Sequence, residues 1–176
     1  MKSKLFGKKA FISVLSVLIL ILCFGFAYNL IFIKPNLKPY ELYRQKSDEG
    51  YIYLILQTDR NIEDKYIQIT SYNGDQLSYY KIPESIKNIP VEKVGHGAFT
   101  NCQSAEVFDV PKTMKYLDDD LFVYCRSLKK LIIRSDDIKL GNNLFAQNNN
   151  ITIVAHKGST AEKYALDNNI NFEELK

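Results

Sequence analysis

Residues 98–102 read Ala-Phe-Thr-Asn-Cys, residues 121–125 read Leu-Phe-Val-Tyr-Cys, and residues 144–148 read Leu-Phe-Ala-Gln-Asn. The same step of 23 residues separates the three stretches, and no gap is needed to align them. The step also relates three further apolar columns, which are Val94, Leu117 and Leu140; Ala105, Leu128 and Ile151; and Phe108, Leu131 and Val154. A fixed period of this size is typical of repeat proteins, in which each unit buries its apolar face against its neighbours. The sequence therefore predicts a solenoid.

Each unit also contains the spacing of a short strand. Residues 105–110 and 128–133 both fit the pattern L-x-x-L-x-L of leucine-rich repeats, whose units are about 20–29 residues long. Alternation along a strand places Phe108 and Val110 inward. We therefore expect one short parallel strand per 23-residue coil, stacked about 4.8 Å from the next. On the opposite side of the core we expect a column of Phe99, Phe122 and Phe145.

One part of the chain is similar to a known family. The run Ile82-Pro83-x-x-Ile86-x-x-Ile89-Pro90-Val91-x-x-Val94-Gly95-x-x-Ala98-Phe99-x-x-Cys102 resembles the opening coil of BspA-type leucine-rich repeats. Residues 110–128 resemble the next coil, and residues 158–165 resemble the helical C-terminal cap of that family. The resemblance covers about residues 66–176 and departs from the family pattern at Ala105, Asp118 and Asn148. It implies a bacterial or protozoan surface protein that acts as an adhesin or interaction module and not as an enzyme.

The residues before the repeats have the pattern of a β-rich cap. Residues 66–72 and 76–82 flank Asn73-Gly74-Asp75, and Asn-Gly favours a type I′ hairpin. With the apolar run 51–56, these residues predict an N-terminal β-hairpin cap over residues 51–81. Eight of the twelve tyrosines lie between residues 40 and 80, which fits the preference of tyrosine for strands. An aromatic binding surface is the alternative interpretation.

The residues after the repeats predict a helical cap. Ser159 and Glu162 have the spacing of a capping box, which predicts a short helix that ends at about Asp167. We therefore expect leucine-rich repeats over residues 82–157 and a C-terminal cap over residues 158–176.

The N-terminal region has the composition of a membrane anchor. Residues 11–33 contain no charged residue and no proline, and as a helix they would extend about 34 Å, enough to cross a bilayer core. The four lysines within residues 1–10 favour a cytoplasmic N-terminus. The sequence thus predicts a cytoplasmic tail (1–10), a single transmembrane signal anchor (11–33), a membrane-proximal linker (34–50) and an extracytoplasmic domain. A cleaved signal peptide is the alternative.

The distribution of charge argues against nucleic-acid binding. The chain has 23 basic and 20 acidic residues, but four of the lysines lie within residues 1–10 and no acid does. The part of the chain after residue 33 is close to neutral. A nucleic-acid-binding domain carries a basic stripe on its folded body, so we expect no nucleic-acid partner.

No group of residues has the spacing of a catalytic or metal site. His96 and His156 lie in different coils without ligands at suitable spacing, and the 23-residue step places His156 in an inward column. Cys102 and Cys125 are one period apart, which predicts two small inward-facing thiols, with a disulfide as the alternative. Residues 118–120 are three aspartates without a calcium-loop pattern, which predicts a solvated turn. We therefore expect no catalytic residue, metal, cofactor or small-molecule substrate.

The outward face of the repeat strands is the predicted partner-binding surface. Its residues are Val107, Asp109, Lys130, Ile132, Arg134, Ile153, Ala155 and Lys157. Solenoids commonly present such faces to partners, and the mixed apolar and charged character suits a protein. Because the face is small, we expect modest affinity. Protein interaction or adhesion at the cell surface is the leading hypothesis, and an accessory or sensing subunit of a membrane complex is the alternative.

Overall fold

The computed structural model describes residues 44–57, 65–146, 148 and 150–176, which form twelve strands and one helix. The elements are β1 (Gln45–Lys46), β2 (Tyr51–Gln57), β3 (Lys65–Tyr72), β4 (Tyr79–Lys81), β5 (Ser85–Ile86), β6 (Ile89–Val94), β7 (Val107–Val110), β8 (Tyr116–Leu117), β9 (Lys130–Ile133), β10 (Lys139–Leu140), β11 (Thr152–Ala155), α1 (Thr160–Asp167) and β12 (Asn171–Glu174).

The strands form two sheets that the chain visits in alternation. Sheet A has the order β1-β2-β3-β6-β8-β10, with β5 antiparallel to β6, and sheet B has the order β4-β7-β9-β11-β12. All strand pairs of sheet B are parallel. The chain passes from sheet A to sheet B in each coil and from α1 to β12 in the last one, which gives a β-solenoid of about five turns.

β7 and β9 of sheet B follow the predicted repeat, and β2 and β3 of sheet A lie at the predicted strands 51–56 and 66–72. The strands of sheet A within the repeats were not predicted. β7 and β9 lie at the predicted L-x-x-L-x-L positions, and Phe108 is the register partner of Leu131, 23 residues later. We expected one strand per coil and the structure has two. Because β8 and β10 contain only two residues each, they are too short to produce an alternating pattern in the sequence.

The predicted phenylalanine column is present in the core. The rings of Phe99 and Phe122 stack with centroids 6.2 Å apart, and those of Phe122 and Phe145 stack with centroids 5.7 Å apart. All three side chains are buried. Phe108, from the inward face of β7, packs 4.7 Å from the ring of Phe122. The two sides of each coil therefore meet in one aromatic core.

The predicted hairpin at Asn73-Gly74 is not formed. β3 pairs antiparallel with β2 and parallel with β6, while β4 leaves for sheet B and pairs with β7. Neither Asn73 nor Gly74 has the positive φ that a type I′ turn requires. The backbones of Gly74 and Gly50 instead lie close together, since a Cβ added to Gly50 would be 2.5 Å from the Cα of Gly74. The Asn-Gly pair thus marks the corner between the two sheets.

The predicted helical cap is present, with one difference at its start. The Ser159 hydroxyl accepts a hydrogen bond from the N–H of Glu162 at 3.2 Å, as an N-cap does. The Glu162 carboxylate accepts from the N–H of Gly158 at 2.6 Å instead of from Ser159, so the capping box closes one residue earlier. After the helix the chain adds β12 to sheet B, a strand that was not predicted.

Cys102 and Cys125 are free and buried, as small inward-facing thiols. The Cys125 thiol donates to the carbonyl of Phe99 at 3.1 Å. A hydrogen bond shared with Cys102, together with burial, raises the pKa of Cys125 and keeps that thiol neutral. In the third copy of the repeat, Asn148 donates to the carbonyls of Cys125 and Leu128 and so links the same columns.

The predicted membrane anchor, residues 11–33, lies outside the described residues, as do the predicted tail and most of the linker. Among the residues that are described, no helix is both long enough and apolar enough to cross a membrane.

Candidate partner-binding face

The outward side of sheet B presents two rows of side chains across its five strands. The register places one row at Tyr79, Val107, Lys130, Thr152 and Asn171, and the other at Lys81, Asp109, Ile132, Val154 and Glu173. Four of the residues predicted for this face occupy these rows, namely Val107, Asp109, Lys130 and Ile132. Arg134 follows directly after β9 and reaches the same surface.

Ile153 and Ala155 were predicted on this face, and that prediction is wrong. Both are 0% exposed and belong to the core. Ile153 follows its register partner Leu131 by 22 residues, whereas Leu131 follows Phe108 by 23. The step from β9 to β11 is therefore one residue shorter than the step from β7 to β9. A shift of one residue in a strand reverses which side chains face the core. Thr152 and Val154 therefore take the outward side of the strand, where Val154 is only 6% exposed.

The same shortening moves His156 out of the core. The 23-residue step predicted an inward side chain, but His156 is exposed, and its Nδ1 lies 2.6 Å from Oδ1 of Asp136. Lys157, the next residue, is exposed as predicted, but it follows the β-strand by two residues and stands in a turn.

Asp109 lies in the middle of the face but is only 2% exposed. Arg134 donates to both of its oxygens, from Nε at 2.7 Å and from Nη2 at 2.8 Å, and the Tyr79 hydroxyl donates to Oδ2 at 2.6 Å. Burial acts to raise the pKa of Asp109, but the hydrogen bonds from Arg134 and Tyr79 outweigh it and hold the pKa below its usual value. Asp109 is therefore ionised, and both of its carboxylate oxygens accept hydrogen bonds from within the domain.

Lys130, at the centre of the face, also forms an ion pair. Lys130 donates to a carboxylate oxygen of Glu173 on β12 at 2.6 Å, and about half of each side chain is exposed. Exposed pairs of this kind contribute little to stability and exchange partners readily. The half-buried Val107 and Ile132 flank the pair and supply apolar surface. The face thus offers a small apolar patch with one exchangeable ion pair, next to an internally paired carboxylate.

The three aspartates at residues 118–120 form part of the packing between coils. Asp119 accepts from the backbone N–H of Asn142 at 2.6 Å, and Asp120 accepts from the side chain of Asn143 at 2.6 Å. Both partners lie in the following coil. The predicted solvated turn is therefore half-buried and hydrogen-bonded. Among the described residues, no group of three or more His, Cys, Asp or Glu is placed to hold a metal ion.

Sequence reasoning missed six residues of the two rows, which are Tyr79, Lys81, Thr152, Val154, Asn171 and Glu173. Tyr79 and Glu173 lie on strands that we had assigned to the caps, so their alignment with the repeat was not considered. The alternation in Tyr79-Tyr80-Lys81 and Phe172-Glu173 was a usable signal for these strands. Val154 was assigned to the core because the apolar columns align at a 23-residue step without a gap. The 22-residue step between β9 and β11 is therefore not visible in the sequence.

The repeat fold agrees with a comparison to known protein families. The model of the BspA type leucine-rich repeat region matches residues 65–176 in six copies. The chain belongs to this family. The match confirms the resemblance predicted over about residues 66–176. It also extends the BspA-type repeats to β3 and β4, which we had assigned to a separate cap.

A solved structure is similar to a large part of the chain. The crystal structure of the T. pallidum leucine-rich repeat protein has 15% sequence identity to this chain and a TM-score of 0.48. The similarity covers 74% of this chain and 64% of the T. pallidum protein, so the chain spans somewhat less than two thirds of that protein. No curated protein matches the chain.

Proposed function

We propose that this BspA-type solenoid is an interaction or adhesion module, and not an enzyme, which binds a protein partner through the outward face of sheet B. The observation that carries the proposal is the five-stranded parallel face itself, because repeat proteins use such regular surfaces to bind other proteins. Val107 and Ile132 would supply the apolar centre of the contact. Lys130 would exchange its pairing with Glu173 for a carboxylate of the partner.

Placement outside a membrane is part of the same proposal. It is supported by the uncharged residues 11–33 and by the lysines that precede them. We assign the role of N-terminal cap to β1 and β2, because these strands cover the edge of β3 that would otherwise lie open.

Site-specific photo-crosslinking tests the face directly. A photoreactive amino acid replaces Lys130 on sheet B or, as the matched control, Lys139 on sheet A, which is also an exposed strand lysine. In cells that produce the full chain, we expect a crosslinked adduct from position 130 and none from position 139. Adducts from position 139 alone would refute the proposal, because contact would then belong to sheet A.

The identity of the adduct separates the two forms of the function. An extracellular or surface protein supports interaction or adhesion. A stoichiometric membrane protein supports the alternative, an accessory or sensing subunit of a membrane complex.

A further inference from the structure

The N-terminal end of the solenoid has a notch because sheet A is longer than sheet B there. β1 and β2 extend sheet A beyond β3, whereas β4 is the last described strand of sheet B. A cavity of about 390 Å³ occupies this position. We call it the N-terminal notch, and it is lined by Glu49, Tyr51, Tyr72, Leu77, Tyr79, Lys81 and Pro83.

The notch has apolar walls that solvent reaches. Leu77 is 42% exposed and Tyr79 is 46% exposed, and both rank among the few large hydrophobic residues at the described surface. Tyr51 and Tyr72 form the inner wall, with ring centroids 5.2 Å apart in an edge-to-face arrangement. In the rest of the solenoid, side chains at equivalent positions are covered by the strand of the next coil.

The backbone of β4 offers hydrogen-bonding groups to the notch. The carbonyl of Ser78 accepts from β7, and the N–H of Ile82 donates to the carbonyl of Asp109 on β7. Because alternate residues of a strand direct their backbone groups to opposite sides, the N–H and C=O of Tyr79 and the N–H of Lys81 point into the notch. The remaining group, the C=O of Lys81, accepts from the Tyr51 hydroxyl at 3.0 Å. Such an edge is a template for one more strand.

Two opposite charges line the notch, Glu49 and Lys81, and Lys81 is the one that lies on β4, where an added strand would pair. Lys81 is exposed, and its register neighbour Asp109 is already bonded to Arg134 and Tyr79. If the register of sheet B continues by one strand, the residue opposite Tyr80 faces inward and the next residue lies opposite Lys81 on the outward side. A carboxylate at that second position would form a cross-strand ion pair.

We propose that the N-terminal notch binds an extended segment of a partner protein, which adds to β4 as a sixth parallel strand of sheet B. An aromatic or aliphatic side chain of this segment packs on Tyr51 and Tyr72, and the acidic residue that follows it pairs with Lys81. The notch lies at the β4 edge of sheet B and shares Tyr79 and Lys81 with the outward face. The hydrogen-bonding edge of β4 adds a second interaction surface, and backbone methylation of a bound peptide tests it apart from the first.

The chain itself supplies a suitable probe. β12 occupies the corresponding position at the other end of sheet B, with Phe172 half-buried against the core and Glu173 facing outward. A fluorescent peptide that copies residues 168–176 therefore presents an aromatic residue followed by an acid in the required order. Its binding to the full-length chain in detergent is measured by fluorescence anisotropy.

Backbone methylation of the peptide tests strand addition without altering the protein. In a parallel pair, the N–H of the residue opposite Tyr80 donates to the C=O of Tyr79. We expect N-methylation at the phenylalanine to weaken binding about fivefold or more, as the loss of one hydrogen bond predicts. N-methylation at the following glutamate, whose N–H points away from β4, is the matched control and should have little effect. Equal effects of the two methyl groups would overturn the proposal.

Two protein variants test the side-chain contacts. Lys81→Glu should weaken the peptide about threefold to tenfold, and a peptide with lysine in place of the first glutamate should recover the loss, since the ion pair is restored with reversed signs. Leu77→Asp, at an exposed position, should abolish binding with the thermal midpoint unchanged. The proposal fails if the peptide shows no saturable binding. It also fails if the wild-type chain self-associates through this edge and Lys81→Glu makes it monomeric, because the occupant would then be a second copy.

Discussion

The substitution Arg134→Ala removes both guanidinium hydrogen bonds from a carboxylate that has almost no contact with water. Asp109 would keep only the hydrogen bond from Tyr79. A hydrogen bond to a charged group contributes roughly 1.5–3 kcal/mol. Because the side chain of Arg134 is 45% exposed and its charge is partly screened, the two bonds together contribute less than twice that amount. We expect the free energy of unfolding to fall by about 2–3 kcal/mol at neutral pH.

The effect should depend on pH in a definite direction. In the wild-type fold the pKa of Asp109 is lowered, so the pairing is fully present above the unfolded pKa of about 3.9 and is lost as the pH falls through the folded pKa. In Arg134→Ala the hydrogen bonds and the charge of the guanidinium are lost, so the pKa of Asp109 should rise from its wild-type value. The charged carboxylate then destabilises the fold at neutral pH, and protonation relieves this penalty. The stability difference between wild type and variant should therefore shrink from pH 7 towards pH 3.

Urea unfolding followed by circular dichroism measures this difference at pH 7, 5 and 3. Lys130→Ala is the control, because it removes an exposed ion pair of the same face and should cost about 1 kcal/mol or less. A second variant, Asp109→Asn in the Arg134→Ala background, should lose the pH dependence. A loss for Arg134→Ala that is no larger than for Lys130→Ala, or that does not change with pH, would refute the reasoning.

Three further outcomes are expected. Phe122→Ala should lower the free energy of unfolding by about 3–5 kcal/mol, because the ring is stacked between two other phenylalanines. Urea unfolding measures this loss, and an unchanged midpoint for Phe122→Ala would contradict the packing. As the control, the exposed Leu166→Ala should change the free energy of unfolding by no more than about 0.5 kcal/mol. Ser159→Ala should cost about 1 kcal/mol through loss of the N-cap; Ser159→Asp, which retains an acceptor, should recover most of it if capping is the cause. Protease added to intact cells should remove the domain beyond Lys34 and spare the first ten residues, whereas a protected domain would reverse the proposed orientation.

Most of the solenoid could be predicted because its core repeats. Phe99, Phe122 and Phe145 recur at a fixed step, and each position must be apolar since it faces the same interior. The strands β7 and β9 followed from the same step. The strands of sheet A in the middle coils, β8 and β10, could not be predicted, because they contain two residues each and are positioned by the hydrogen bonds of neighbouring coils.

The candidate face was predicted less well, because a surface position is defined by its neighbours. Asp109 was correctly placed on sheet B, yet its burial depends on Tyr79 from an earlier coil and Arg134 from a later one. Neither pairing leaves a local pattern in the sequence. A charge reversal at Arg134 or at residues 118–120 would therefore disturb the packing between coils.

The sequence by itself determined the period, the inward columns and the helix that begins after Ser159, since burial of apolar side chains and helix capping depend on residue type and short-range spacing. Tertiary structure decided which way the last repeat strand faces. One residue fewer in that coil turns Ile153 and Ala155 inward and Val154 outward, and the hydrogen-bonded register with β9 fixes the choice. A strand alternates with a period of two, so a single-residue difference that hardly alters the sequence pattern exchanges the core for the surface.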